Sequence, residues 1–97
     1  MILPLEWTKD AQRDFANIDD FYADKSPEFA ERVGDAAIAV GRLLQRHPEA
    51  GETMDLGDVR KFNVGDTPYI LLYRILIDRV QILRVRHVRE DWKPKPF

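Results

Sequence analysis

The stretch YILLYRILIDRVQILRVRHV (residues 69–88) contains two runs of mostly apolar side chains separated by a short polar segment. β-Branched and aromatic residues dominate both runs, and such residues favour strands. The polar pair Asp78 and Arg79 marks a tight turn between the two runs. The stretch therefore predicts a β-hairpin with strands over residues 69–76 and 80–88.

A third strand is predicted ahead of this hairpin, over residues 59–64. The turn-forming sequence GDTP at residues 65–68 ends it. Residues 52–58 are largely polar and predict a loop, and PEAG at residues 48–51 predicts a turn. The second half of the chain thus predicts a three-stranded antiparallel meander.

Two helix start signals occur in the N-terminal half. Thr8 is a good N-cap for a helix that runs to about Asp24. The apolar side chains that recur after Thr8 at helical spacing, and are expected on one buried face, are Ala11, Phe15, Ile18, Phe21 and Tyr22. Ser26 followed by Pro27 is the second signal, because the first helical position leaves its N–H unused and proline has none. This second helix is expected to end near His47, since the proline that follows disfavours helical geometry in the residue before it.

Residues 2–7 are mostly apolar but contain Pro4, which lacks the N–H of a central strand, so they predict an edge strand. The predicted element order is therefore βααβββ. This order indicates an α+β fold, with an N-terminal helical hairpin packed on one face of a small, twisted, mainly antiparallel sheet. At 97 residues the chain has room for one core, so we expect a single domain over residues 1–97.

Charge is unevenly distributed along the chain. Residues 1–57 hold 6 Lys/Arg and 12 Asp/Glu, whereas residues 58–97 hold 9 and 5, for a net charge of −2. The basic half is the better candidate to face a partner, while overall acidity argues against an extended nucleic-acid surface.

The chain has no cysteine and two histidines, His47 and His87. A disulfide framework and a thiolate metal site are excluded, and we expect neither a metal nor a cofactor. The N-terminus lacks the segments of a signal peptide, and the longest apolar run, residues 69–73, is too short for a membrane span. These features predict a cytoplasmic protein without membrane contact.

Alternation of side chains across the hairpin assigns its residues to two faces. Strict alternation predicts that one face carries Ile70, Leu72, Arg74, Ile82, Arg84 and Arg86. If the helices cover the less charged face, the other face presents an apolar patch rimmed by arginines, which is typical of a protein-interaction site. The alternative is that the C-terminal tail folds over this patch.

Other candidate groups favour structural roles. Asp10 and Asp14 lie one helical turn apart but off the apolar stripe, so a solvated acidic surface is expected rather than an acid/base pair. His87 has no Ser, Cys or second His nearby in sequence, which favours a structural hydrogen bond over general-base catalysis. Trp7 and Trp92 are expected to pack rather than to stack on nucleic-acid bases.

The chain contains, in order, WTxxAxxD (residues 7–14), Ile18 with Tyr22, SP (26–27), LxxxPxxG (44–51), RKFNV (60–64), PYILLYRI (68–75) and ILRVRHVREDW (82–92). Together these motifs resemble the RelE/ParE superfamily of bacterial toxins, and most closely its ParE branch of plasmid-stabilisation proteins. The resemblance implies the βααβββ fold and the toxin role in a type II toxin-antitoxin system. It also implies a cognate antitoxin as partner, operator DNA bound only through that antitoxin, a toxin-antitoxin hetero-oligomer, and DNA gyrase or ribosome-bound mRNA as target.

The resemblance also indicates where the RNA-cleaving branch would carry its catalytic groups. That branch usually has an arginine directly after the aromatic residue that opens the middle strand of the meander, where this chain has Ile70. It tends to have an arginine and then a tyrosine near the end of the last strand. Here these positions read Arg89, Glu90, Asp91 and Trp92, and the carboxylates of Glu90 and Asp91 would repel a scissile phosphate.

We therefore expect a ParE-like toxin that inhibits DNA gyrase and is not an enzyme. One alternative is a RelE-like, metal-independent mRNA endonuclease, with Lys61, Arg86 and His87 as candidate catalytic residues. A non-toxic orphan binding module is another. The expected antitoxin- or target-binding residues are Arg60, Ile70, Leu72, Arg74, Ile82, Arg84, Arg86, Arg89 and Trp92.

Overall fold

The computed structural model describes residues 2–55 and 57–89. The elements are β1 (Leu5–Trp7), α1 (Lys9–Tyr22), α2 (Pro27–Arg46), a 3-10 turn (Pro48–Ala50), β2 (Glu52–Thr53), β3 (Arg60–Asn63), β4 (Tyr69–Ile75) and β5 (Val80–His87). Within these residues the strands form one five-stranded sheet in the order β1-β5-β4-β3-β2. β1 runs parallel to β5 and the other neighbours are antiparallel, so the predicted α+β fold is confirmed.

Both predicted helix starts are confirmed. The Thr8 hydroxyl accepts a hydrogen bond from the Ala11 N–H at 3.1 Å, and the Ser26 hydroxyl accepts one from the Phe29 N–H at 3.3 Å. Pro27 occupies the first position of α2, where its missing N–H costs no hydrogen bond. Local capping chemistry therefore determines where each helix begins.

The sheet differs from the prediction at both edges. β1 starts at Leu5 rather than at Ile2. β2, which was expected to be loop, pairs Glu52 with Lys61 and Thr53 with Arg60. Its two residues are polar and exposed, so no hydrophobic alternation marks them as a strand.

The helices pack on one face of the sheet and form what we call the helix-side core. Its buried residues are Ala11, Ile18, Val33, Ala37, Val40, Leu44, Val64, Tyr69, Leu71, Tyr73, Val80, Ile82 and Val85. Gly41 lets α2 approach β1 closely, because a Cβ at this position would lie 2.8 Å from the Leu5 Cδ2 atom. In the described part of the chain, no helix is long and apolar enough to span a membrane.

Tyr73 anchors the connection between α2 and β2 to this core. Its side chain is fully buried, and its hydroxyl donates to the Pro48 carbonyl at 2.7 Å and accepts from the Gly51 N–H at 2.8 Å. Burial raises the pKa of the Tyr73 phenol above its usual value, since the charged form would lose its hydration. A side chain at Gly51 would collide with this hydroxyl, because a Cβ there would lie 2.5 Å from it.

Candidate functional site

The register between β4 and β5 shifts in the middle of the hairpin. Leu72 lies opposite Arg84, whereas Tyr73 lies opposite Ile82, so β5 contains one extra residue, Leu83, at this point. Such a bulge reverses the alternation of faces beyond it. Ile82 is therefore fully buried in the helix-side core, and its predicted place on the opposite face is wrong.

The face opposite the helices carries a second apolar group, which we call the open-side cluster. Ile70 and Leu72 lie there as predicted, but they are only 4% and 0% exposed. They pack with Val59, Met54 and Leu83. The Met54 N–H donates to the Val59 carbonyl at 3.0 Å, which closes the loop that brings both residues onto the sheet. The expected exposed apolar patch at these positions is therefore wrong, because that loop contributes apolar cover.

Arg84 and Asp14 form a bidentate ion pair between β5 and α1. The Arg84 Nε and Nη2 atoms donate to the two Asp14 carboxylate oxygens at 2.7 and 2.8 Å. The same carboxylate accepts the Val85 N–H at 3.0 Å, and the Arg84 and Asp14 side chains are only 18% and 11% exposed. The expectation of a solvated Asp14 and of a rim position for Arg84 is therefore wrong.

The short length of β1 explains this pair. β1 ends at Trp7, opposite Ile82, so among the described residues no strand neighbours the edge of β5 beyond that point. Side chains from α1 and its N-cap replace the missing strand partners. The Thr8 hydroxyl donates to the Leu83 carbonyl at 3.0 Å, and the Asp14 carboxylate accepts the Val85 N–H. Buried backbone groups need such partners, and here side chains of a helix provide them.

Arg74 belongs to a row of polar side chains near one end of the sheet. Its Nε donates to the Gln81 Oε1 at 2.8 Å, and the Gln81 amide donates to the Glu6 carboxylate at 3.1 Å. Arg79 donates to the same Glu6 oxygen at 2.6 Å. The hydrogen bond from Arg79, and to a lesser extent the one from Gln81, lowers the pKa of Glu6. The Glu6 carboxylate in turn raises the pKa of Arg79.

Arg60 and Lys61, on β3, also have partners within the chain. Arg60 donates to the carbonyl oxygens of Gly51 and Glu49 at 2.9 and 3.3 Å, which holds the 3-10 turn. The Lys61 ammonium lies 3.5 Å from the Glu52 carboxylate across the β2–β3 pair. Both side chains therefore support the edge of the sheet.

A cleft between the second half of α1 and the end of β5 collects the other candidates. This α1–β5 cleft has a volume of about 650 Å³ and is lined by Asp14, Asn17, Ile18, Phe21, Tyr22, Tyr69, Val85, Arg86 and His87. The His87 ring stands edge-on to Tyr69 at 5.1 Å between centroids. Arg86 and His87 are thus brought together here, whereas Lys61 does not line the cleft.

The remaining predicted residues lie at the C-terminal end. The Arg89 N–H donates to the His87 Nδ1 at 3.0 Å, so His87 does have a structural hydrogen bond. Trp92, Glu90 and Asp91 lie outside the described residues. Among the described residues, no group of three or more His, Cys, Asp or Glu side chains is placed to hold a metal ion.

The aromatic lining of the α1–β5 cleft was not predicted as a site. Phe21 and Tyr22 were both expected on the buried stripe of α1. Adjacent helical residues point about 100° apart, so only one of them can face the core fully. Phe21 is 57% exposed, while Tyr22 is half-buried, and this adjacency was the signal in the sequence.

Comparison with known proteins agrees with this architecture. The family model for the ParE toxin of the type II toxin-antitoxin system parDE matches residues 5–92. The chain is 31% identical over 88 residues to "Putative toxin Y4kP" of Sinorhizobium fredii, which covers 91% of each protein.

Two solved structures are also similar. A chromosomal ParDE TA system from P. aeruginosa superposes with a TM-score of 0.76 and 26% identity, covering 89% of this chain and 96% of that one. The toxin-antitoxin complex RelBE2 from Mycobacterium tuberculosis gives a TM-score of 0.60 and 26% identity, covering 90% and 99%. The family match over nearly the whole length, together with the shared fold, shows that the chain belongs to the ParE toxin family of type II toxin-antitoxin systems.

Proposed function

We propose that this toxin acts in the cytoplasm by binding DNA gyrase, and that a cognate antitoxin binds and neutralises it. The family assignment supports the toxin role, and the solved relatives include a ParDE system and a RelBE2 toxin-antitoxin complex, which supports an antitoxin partner. The two mechanisms to be distinguished for this toxin are inhibition of gyrase and cleavage of RNA.

The observation that carries the gyrase proposal is the separation of Lys61 from the other two candidate nuclease groups, Arg86 and His87. Metal-free RNA cleavage requires several cations, together with an acid/base group, within hydrogen-bond reach of one phosphate. Arg86 and His87 line the α1–β5 cleft, on the part of β5 that lies beyond the end of β1. Lys61 lies on β3, with the whole of β4 between, and its ammonium is held near Glu52.

The surroundings of Ile70 and Arg84 give further support. Ile70, at the position where RNA-cleaving relatives are expected to carry arginine, is a buried aliphatic side chain. Arg84 donates two hydrogen bonds to the Asp14 carboxylate, which offsets its charge. A charge already paired in this way stabilises a developing phosphorane less than a cation directed at the phosphate would.

Purified toxin in a gyrase supercoiling assay tests the proposal. We expect loss of supercoiling, relieved by the cognate antitoxin. In cells, induction should cause filamentation and DNA-damage signalling. Primer extension on RNA from the same cells provides the decisive contrast, because codon-positioned cuts within minutes, with gyrase unaffected, would establish the nuclease mechanism instead.

One observation favours the RelE-like alternative, since Arg86 and His87 do share a cleft. If they are catalytic, His87→Ala should abolish mRNA cuts in induced cells while the toxin stays folded. If the toxin acts on gyrase, no such cuts appear with either protein.

A further inference from the structure

The solvent-facing side of α2 carries a row of charged and apolar side chains, which we call the α2 stripe. Its exposed members are Glu31, Asp35, Ile38, Ala39, Arg42 and Arg46. Because successive residues of a helix are about 100° apart, these six positions fall within about 100° of one another around the helix axis. The buried residues of α2 point away from this side. The stripe is therefore one continuous surface on the outside of the molecule.

Like charges are neighbours along the α2 stripe. Glu31 and Asp35 are four residues apart, and so are Arg42 and Arg46. Like charges at this spacing lie side by side on a helix and repel each other. Among the described residues, none of these four side chains forms an ion pair that would offset the repulsion. The stripe thus has an acidic end and a basic end, neither of which is neutralised within the described part of the chain.

The helix dipole accounts for the charges at the two ends of α2 but not for those inside it. The dipole favours acidic residues in the first turn and basic residues in the last turn, and its effect fades beyond those turns. Glu28 in the first turn and Arg46 in the last turn agree with this rule. Asp35 and Arg42 lie further inside the helix, so their placement needs another explanation.

An apolar pair lies between the acidic and basic ends of the stripe. Ile38 is 55% exposed, and Ala39 beside it is also exposed. A single exposed aliphatic residue is common on protein surfaces, but this one lies at the centre of an ordered charge pattern. The small side chain of Ala39 would let a second helix approach to the distance of about 8–10 Å at which helices pack. The centre of the stripe is therefore suited to contact with another helix.

The α2 stripe is complementary to itself when a second copy runs in the opposite direction. Asp35 and Arg42 lie on opposite sides of the midpoint between Ile38 and Ala39, each about 5 Å from it along the helix. The outer acid and the outer base of the stripe lie about 11 Å from the same midpoint. A two-fold axis through this midpoint would bring each acid opposite a base of the second copy. Self-complementarity of this kind is what an isologous dimer interface requires.

We propose that the α2 stripe binds a second copy of this chain, with the two α2 helices packed antiparallel across a two-fold axis. Asp35 of each copy pairs with Arg42 of the other copy. The outer pair, Glu31 with Arg46, repeats this arrangement, and the two Ile38 side chains pack between the charged ends. Exposed ion pairs set orientation more than affinity, so the dimer is weak and sensitive to salt. This inference goes beyond the proposed function and does not depend on the target of the toxin.

Sedimentation equilibrium of the purified full-length toxin over a range of concentrations tests the proposal. The wild type should form dimers that dissociate as the salt concentration rises. Asp35→Arg and Arg42→Asp should each raise the dimer dissociation constant at least about tenfold, because each change places two like-charge contacts in a symmetric interface. Asp19→Arg is the matched control, since it reverses an exposed carboxylate on α1 and changes the net charge as much as Asp35→Arg does. The control should change the dissociation constant less than about twofold.

A mixture of the two variants separates lost complementarity from lost structure. Asp35→Arg leaves arginine at both positions, and Arg42→Asp leaves aspartate at both. An equimolar mixture therefore restores opposite charges across the interface, and heterodimers should form with nearly the affinity of the wild type. Circular dichroism first establishes that every variant is folded. Dimers in the mixture, where each variant alone is monomeric, would not arise from a folding defect.

Several results would overturn the assignment of the α2 stripe. A wild type that is monomeric at every concentration contradicts it. If both variants dimerise as strongly as the wild type, the dimer uses another surface, and if their mixture stays monomeric, charge complementarity is not what joins the copies. Assemblies larger than a dimer would indicate a head-to-tail contact instead of a two-fold one. If the wild type is monomeric and Asp35→Arg binds the cognate antitoxin more weakly, the stripe binds the antitoxin and not a second copy.

Discussion

The two faces of the sheet bury apolar side chains in different ways. On the helix side, strand residues such as Leu71 and Tyr73 meet the apolar stripes of two helices. On the open side, the buried members Val59, Ile70 and Leu72 are joined by residues of a loop and a bulge, Met54 and Leu83. The helix-side core combines the apolar stripes of two helices with strand residues, and the bulge in β5 adds Ile82 to it, whereas the open-side cluster is completed by the loop residue Met54 and by the bulge residue Leu83.

Truncation of adjacent core residues on the two faces measures this difference. Leu71 and Leu72 are both fully buried, but Leu71 belongs to the larger core. Leu71→Ala should lower the free energy of unfolding by about 3–5 kcal/mol, since the packed helices cannot close the cavity. Leu72→Ala should cost about 2–3 kcal/mol, because the covering loop can relax toward the sheet. Urea denaturation compares the two, and equal losses would show that the open-side cluster is as rigid as the core.

Asp14 tests how α1 completes the edge of β5. Asp14→Ala leaves Arg84 without its carboxylate and the Val85 N–H without its acceptor, so we expect a loss of about 2–4 kcal/mol in the free energy of unfolding. Asp10→Ala is the matched control on the same helix. Its ion pair with Arg13 is solvent-exposed, and the loss should stay within about 0.5 kcal/mol.

A double variant shows whether the Asp14–Arg84 ion pair is the source of this loss of stability. Because much of the cost comes from leaving Arg84 uncompensated, Asp14→Ala combined with Arg84→Met should be more stable than Asp14→Ala alone. If the double variant is less stable than Asp14→Ala, the ion pair is not the source of the loss.

The helices and most strands could be predicted because their signals are local. Thr8 and Ser26 mark helix starts within a few residues, and the run from Tyr69 onward has no polar interruption before Arg74. β2 was not predicted because its two exposed polar residues show no hydrophobic alternation, and because its pairing depends on β3. Local chemistry thus accounts for the elements but not for every edge of the sheet.

The candidate site was predicted less well because it depends on register and on long-range pairing. No local feature of β5 signals that Leu83 is a bulge, and one added residue moves Ile82 to the opposite face. The Asp14–Arg84 pair joins residues 70 positions apart, and it forms because β1 is short. Arg86 and His87 were identified, but the aromatic wall that faces them was assigned to the core.

Tyr73 offers a smaller test on the helix side. Tyr73→Phe keeps the packing but removes the hydroxyl between the Pro48 carbonyl and the Gly51 N–H, so it should lower the free energy of unfolding by about 1–3 kcal/mol. Tyr22→Phe is the control, because its hydroxyl makes one long contact of 3.5 Å. A loss in Tyr73→Phe no larger than in the control would show that the turn is held by Arg60 instead.

Glu6 provides the smallest expected effect, at the polar end of the open side. Hydrogen bonds from Arg79 and Gln81 lower the pKa of its carboxyl in the folded protein, so the ionised form stabilises the fold. This contribution is present above the pKa of the unfolded state and disappears as the pH falls through the lower folded-state pKa. Glu6→Gln should therefore melt slightly below wild type at pH 7, and the two melting temperatures should converge in strong acid. Arg79→Met, which removes the main donor, should show the same convergence. A difference in melting temperature that persists unchanged in strong acid for both variants would mean that packing of these side chains, rather than the charge of Glu6, stabilises this end of the sheet.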